Sequence, residues 1–237
     1  MNEHLKQLID KIEQTFHPVS VFLYGSRARV DFLERSDYEI GVLFKRGKEI
    51  SRPDLKAINP LSSVNLYPFE YEDFLKYKLD TPFPEVVYFR ELISGGKTLR
   101  GDKIIEKMKA PSIRVLDLMD VVRFNTGYAL AAVLSHRRSD KITASIEFVK
   151  SCLFGIRCLV ILKQKKFPLT YDEIFSASQD LQLDKEYSDV IEHAMNVRRG
   201  EKLQELYLYR NISLLNKIVK SEVKDVFEKN GNQTILE

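Results

Sequence analysis

The sequence predicts an α+β protein: a small mixed sheet with flanking helices, followed by an all-α helical bundle. Three observations lead there. Residues 1–110 interleave short β-branched and aromatic runs with turns and helical pieces. Residues 111–237 keep apolar positions at spacings of three and four almost to the end. The change of period near residue 110 comes with almost no linker, so two closely apposed domains are expected, 1–110 and 111–237.

Each element has a local reason. Leu5, Leu8, Ile9, Ile12 and Phe16 mark an amphipathic helix over residues 3–16, which Pro18 ends. Residues 19–24 (VSVFLY) have almost no polar break and suit a central strand buried on both faces. Residues 37–45 alternate, with Tyr38, Ile40, Val42 and Phe44 on one face and Asp37, Glu39 and Gly41 on the other. Residues 62–69 make a third, weaker strand with Pro68 near its end. Helical pieces over 70–77 and 84–93, a Gly95-Gly96 turn and a short edge strand over 97–101 complete the first domain. In the second, residues 112–136 and 141–165 carry long apolar stripes. Thr170 and Glu173 form a capping box, Asp184 caps the next helix, and Gly200 sits where that helix should end. A last long helix over 203–227 makes a bundle of about five. The tail from Asn230 has little to pack and is expected to fray.

Composition excludes several classes. Of 237 residues, 44% are hydrophobic and 30% charged, which is enough for a core and a solvated surface. A net charge of +3 is too weak to argue for nucleic acid as a partner, and none is expected. Cys152 and Cys158 lack metal-site spacing and read as two buried thiols. The amphipathic N-terminus has no apolar signal core, and the most apolar run, 152–162, contains Arg157 and falls well short of the ~20 residues that span a bilayer. No membrane contact and a cytoplasmic location are expected.

The chemistry lies in residues 22–44, FLYGSRARVDFLERSDYEIGVLF. A hydrophobic strand runs into Gly25-Ser26 and a basic segment with Arg27 and Arg29; ten residues separate Ser26 from Asp37, and Glu39 follows two later. Gly25 lets backbone N–H groups approach a phosphate, and Ser26 adds a hydroxyl at a helix start, where anions are favoured. Period two places Asp37 and Glu39 on one strand face, about 7 Å apart. Two carboxylates there need a positive counterpart. Magnesium fits, because it takes oxygen ligands and shares its sphere with substrate phosphates, and two ions would clamp an in-line displacement.

The stretch resembles the signature of the DNA polymerase beta-type nucleotidyltransferase superfamily, Gly-Ser, ten residues, then Asp-x-Asp or Asp-x-Glu. The form GSRAR…SDYE is most similar to its minimal and aminoglycoside-type members, and the sharp match covers about 25 residues. The resemblance implies a triphosphate held by Gly25 and Ser26 and magnesium held by Asp37 and Glu39. It also implies a helical domain that helps hold the acceptor or dimerises. With Arg29 as a further phosphate contact, the expected reaction moves a nucleoside monophosphate, AMP from ATP, to a hydroxyl on a small molecule or protein. The acceptor itself is not named by the sequence, and an antibiotic-like sugar is one form of it. A nucleotide-binding or antitoxin-like module without turnover is the alternative.

Two departures from the family pattern stand out. Val30 occupies a position where the family commonly has glycine. Asn65 occupies the best candidate position for a third acid on a later strand; it cannot act as a base. Glu70, Glu72 and Asp73 are the nearby acids that could substitute. Weaker candidates are Arg198-Arg199, which the dipole favours at a helix C-terminus anyway, and Glu192 and His193. His193 is expected to be an exposed helical histidine. Tyr207 and Tyr209 are expected in core and interface, and the Arg-x4–6-His motif of HEPN ribonuclease domains is not found.

Overall fold

The computed structural model describes residues 3–34, 36–47 and 50–237. They fall into two compact units, one up to Pro111 and one from Ser112 on.

In the first unit, helix α1 (Glu3–Phe16) is followed by strand β1 (Ser20–Tyr24), a single helical turn α2 (Ser26–Arg29) and strand β2 (Tyr38–Phe44). Helix α3 (Arg52–Ile58), strand β3 (Val64–Glu70), helices α4 (Tyr71–Leu75) and α5 (Glu85–Gly95), strand β4 (Lys97–Gly101) and the short helix α6 (Ile104–Lys107) complete it. The sheet order is β3-β2-β1-β4, with β2 and β3 parallel and the other pairs antiparallel. Period two sends Val21, Ile40, Val42, Phe44, Val64 and Leu66 to one face, where they bury Leu5, Leu8, Ile9 and Ile12 of α1 and Leu55 of α3. Phe22, Tyr24 and Leu43 point the other way, onto Phe74 of α4, Phe89, Leu92 and Ile93 of α5, and Ile104 and Ile105 of α6. Gly41 lies on this second face beneath the Phe22 ring, and a Cβ there would fall inside the ring.

Helices α3 and α6 are additions to the sequence expectation. The signal for α3 was present: Ser51 and Asp54 form a reciprocal capping box around Pro53.

The second unit begins with strand β5 (Ile113–Arg114) and helices α7 (Val115–Arg137) and α8 (Lys141–Gln164). Helices α9 (Tyr171–Ser178), α10 (Lys185–Arg198) and α11 (Glu205–Ser213) follow, then a wide π turn at Leu214–Val219, helix α12 (Lys220–Asn230) and strand β6 (Thr234–Leu236). The expected 203–227 helix is thus one helical path with a π turn inside it. A buried polar staple, Asn211 Nδ2 donating to Ser151 Oγ at 2.8 Å, ties α11 to α8. Both cysteines are buried, as expected. No helix among the described residues is long and apolar enough to cross a membrane.

Two expectations are corrected here. The tail does not fray: β6 pairs with β5, Ile235 is buried, and Val115 N donates to Gln233 O at 3.2 Å. His193 is not exposed. It is 6% accessible, its ring stacks 4.0 Å from that of Tyr207, and its Nε2 accepts the Gln204 N–H at 3.2 Å.

The His193 contact makes stability pH-dependent. Burial holds the imidazole below its ordinary pKa, with Glu201 pulling the other way, so the folded form is the neutral acceptor. A depressed folded-state value means the contribution is present above the unfolded value of about 6.5 and is lost as pH falls through the folded one. Urea midpoints measured at about pH 7.5 and about pH 5.5 should therefore fall more in the wild type than in His193→Gln.

Candidate functional site

Gly25 ends β1 and starts the α2 turn with φ 72° and ψ −160°, a backbone that side-chain-bearing residues rarely adopt. It has a second reason to be glycine. In the register of β1 with β2, Tyr24 lies opposite Glu39, and a Cβ on Gly25 would fall inside the Glu39 carboxylate. The loop main chain and the acid are in direct apposition.

The acid pair continues across the sheet. Glu39 lies opposite Asn65 in the parallel β2–β3 register. Asp37, just before β2, is exposed and accepts from Asn65 Nδ2 at 3.2 Å. Asp37, Glu39 and Asn65 therefore share one end and one face of the sheet, and Asn65 positions Asp37. The three acids that could have stood in for Asn65 lie elsewhere. Arg46 takes Glu70 at 2.7 Å and Asp73 at 3.6 Å, and its N–H donates to Glu72. Glu70 is five residues along β3 from Asn65, which is about 16 Å. Among the described residues, no group of three or more histidine, cysteine, aspartate or glutamate side chains is placed to hold a metal. Two carboxylates with oxygen ligands from a substrate still suit a hard cation such as magnesium, which needs only one or two from the protein.

Aromatic residues line the same face. Tyr24 packs against Tyr67 and Tyr88, with ring centroids 6.0 and 6.5 Å away. Burial pushes the hydroxyl pKa of all three tyrosines up, and the negative charge of Glu39 raises each further. They stay neutral beside the carboxylates at ordinary pH.

The basic segment plays a different part. Arg27 donates to Ser36 O and Glu34 O at 2.8–2.9 Å and lies over the rings of Phe32 and Tyr38, so it clasps the loop leading to Asp37. Arg29 donates to Glu91 at 2.6 Å and lies 3.6 Å from Asp31, with its side chain 5% exposed. Val30 follows with φ 67° in the left-handed region and is 72% exposed, which accounts physically for a glycine preference at that position. Sequence reasoning missed Tyr24, Tyr67, Tyr88, Glu91 and Arg52. Tyr67 could have been found by counting two from Asn65.

In the helical unit, Arg199 pairs with Asp172 at 3.3 Å and Arg198 lies 3.9 Å over the Tyr171 ring. Glu192 is exposed, as is Tyr209, while Tyr207 is half-buried against His193.

This sheet order, with a glycine loop leaving one central strand and acids at the start of its neighbour, is the nucleotidyltransferase fold. A solved structure leads to the same fold. The chain is similar to the spectinomycin adenyltransferase AAD(9) from Enterococcus faecialis, crystallised with ATP and spectinomycin: TM-score 0.59, 13% identity, 94% of this chain and 98% of that one. A candidate nucleotidyltransferase from Sulfolobus solfataricus overlaps 30% of this chain and 68% of its own, with 25% identity and a TM-score of 0.27, too little to argue from. No protein-family model matches the sequence, and no curated protein matches it.

Two consequences can be measured. Arg29→Ala leaves the Asp31 and Glu91 carboxylates without their guanidinium, and breaking a buried pair of this kind costs about 3–5 kcal/mol. The thermal midpoint should fall well below that of the wild type. Val30→Gly relieves about 1–2 kcal/mol of left-handed strain and returns part of it as unfolded-chain entropy. A rise of about 0.5–1 kcal/mol in urea-unfolding stability is expected.

Proposed function

We propose that the chain is a magnesium-dependent nucleotidyltransferase that moves AMP from ATP to a hydroxyl group and releases pyrophosphate. The observation that carries this reading is the apposition of the Gly25 main chain to the Glu39 carboxylate, with Asp37 on the same face. A triphosphate seated on the Gly25-Ser26 turn would have its phosphates beside the acid pair. The fold shared with AAD(9), a protein crystallised with ATP, supports ATP as the nucleotide.

Gly25 and Ser26 bind the triphosphate through main-chain N–H groups and the Ser26 hydroxyl. Asp37 and Glu39 would hold magnesium, which would supply positive charge to the phosphate oxygens and the departing pyrophosphate. Asn65 keeps the Asp37 carboxylate oriented through its amide. The acceptor oxygen bonds to the α-phosphorus as the bond from that phosphorus to the bridging oxygen breaks. The hydroxyl proton passes to the exposed Asp37 carboxylate and on to water. Arg29 supports the turn from behind, through Glu91 and Asp31, and its loss acts through the fold.

A nucleotide-binding module without turnover is the rival, and Asn65 in place of an acid is what favours it. Magnesium-dependent pyrophosphate release from ATP, assayed with and without hydroxyl acceptors, separates the two: the rival binds magnesium-ATP and releases none. In Asp37→Asn/Glu39→Gln, calorimetry should show magnesium-ATP affinity falling about tenfold to a hundredfold, the loss expected for a charge-assisted contact worth about 1.5–3 kcal/mol. The ligand-free fold should be no less stable, because like-charge repulsion is relieved. Unchanged affinity would place the metal and nucleotide elsewhere.

A further inference from the structure

Arg27 and Arg29 are spent inside the fold, one on the loop carbonyls and one on Asp31 and Glu91. Arg52 is placed differently. It opens α3, whose Leu55 packs on the opposite face of the sheet, and its exposed guanidinium reaches the edge strand β3 to lie 4.3 Å over the Tyr67 ring. Tyr67 is two residues beyond Asn65 and so projects from the acid-bearing face. Among the described residues no carboxylate lies within ion-pairing distance of Arg52; the neighbouring charges that act on Tyr67 besides Arg52 are those of Glu39 and Asp37. A guanidinium steadied on an aromatic ring and open to solvent is a ready oxyanion contact.

The order of strands says which substrate it meets. Gly25 ends β1, Glu39 lies on β2, and Asn65 and Tyr67 lie on β3, so the loop and Arg52 flank the acid pair from opposite sides. In-line displacement brings the entering oxygen to phosphorus from the side opposite the leaving one. With the triphosphate on the Gly25-Ser26 turn, the acceptor comes in over β3. We infer that Arg52, held on Tyr67, is the acceptor-side specificity residue, and that the acceptor is an alcohol carrying an oxyanion, phosphate or carboxylate, near the hydroxyl that receives AMP. The inference rests on the nucleotidyltransferase reading above. It separates this site from one built for a cationic, amine-bearing acceptor such as spectinomycin, which Arg52 would repel.

The test uses the full chain with magnesium and a non-hydrolysable ATP analogue. Wild type, Arg52→Ala and Arg52→Lys are titrated calorimetrically with glycerol 3-phosphate, glycerate, glycerol and spectinomycin. At least one anionic probe should bind the wild type more tightly than glycerol or spectinomycin does, and the phosphate and carboxylate probes rank the two oxyanions. Arg52→Ala should weaken that binding by about tenfold or more, with Arg52→Lys between, since lysine keeps the charge and loses the fork. Affinity for the magnesium-bound analogue and the unfolding midpoint should be unchanged in both variants. The inference is overturned if neither anionic probe binds, if they bind Arg52→Ala as tightly as the wild type, or if spectinomycin binds the wild type best. Loss of analogue affinity in Arg52→Ala would also overturn it, by placing Arg52 on the triphosphate. Failure of the analogue to bind wild type, with Arg52-dependent anion binding intact, would instead remove the nucleotidyltransferase reading.

Discussion

The site depends on one close approach: the Gly25 main chain lies against the Glu39 carboxylate, with no room for a Cβ between them. That contact is set by the β1–β2 register, which pairs Tyr24 with Glu39, and the register is set in turn by burial on both faces of the sheet. A slip of one residue would send Val42 and Phe44 to the face of α4 and α5 and bring Glu39 onto α1. Core packing and site geometry are therefore the same constraint. Gly41 shows it from the packing side, because the Phe22 ring occupies the volume its side chain would take.

The same face must tolerate two acids. At about 7 Å and an effective dielectric near 20, two carboxylates repel by about 2 kcal/mol without a counterion. The residues around them add no further negative charge at ordinary pH. Tyr24, Tyr67 and Tyr88 have hydroxyls pushed up by burial and by Glu39 itself, and Asn65 is neutral and donates to Asp37. Two of the positive groups nearby act on the frame, Arg27 on carbonyls and Arg29 on Asp31 and Glu91, while Arg52 lies over the Tyr67 ring.

Much of this was legible in the sequence, and the reasons differ by element. α1 and the edge strand at Lys97–Gly101 follow directly from periodicity and turn chemistry. The alternation of residues 37–45 placed Asp37 and Glu39 on one face, because a strand's period fixes faces before any partner is known. What pairs with what was not legible. That Glu39 lies between Tyr24 and Asn65, that Arg29 finds Glu91 sixty-two positions away, and that Arg52 crosses a strand edge to Tyr67 are long-range facts with no local signature. The tail misled for the same reason: residues 234–236 look unpackable alone and are ordered by strand pairing with residues 113–114. His193 looked exposed because one polar residue on an amphipathic helix usually is, whereas here Gln204 supplies a donor that makes burial tolerable.

Val30 and Asn65 bear on the site in different ways. Val30 holds a left-handed turn after α2 at an energetic cost, so stability falls where the chain leaves the helical turn. The Arg27 clasp lies on the loop that follows and offsets the strain by satisfying Ser36 and Glu34 carbonyls. Asn65 does the reverse. It costs little, because an amide in that position satisfies Asp37 directly and adds no third like charge to a crowded face, yet it cannot accept a proton. Val30 is thus a cost in stability, and Asn65 a limit on the chemistry. A strained backbone persists only where the surroundings over-determine it, and here the surroundings are the loop and the Arg27 clasp on its carbonyls.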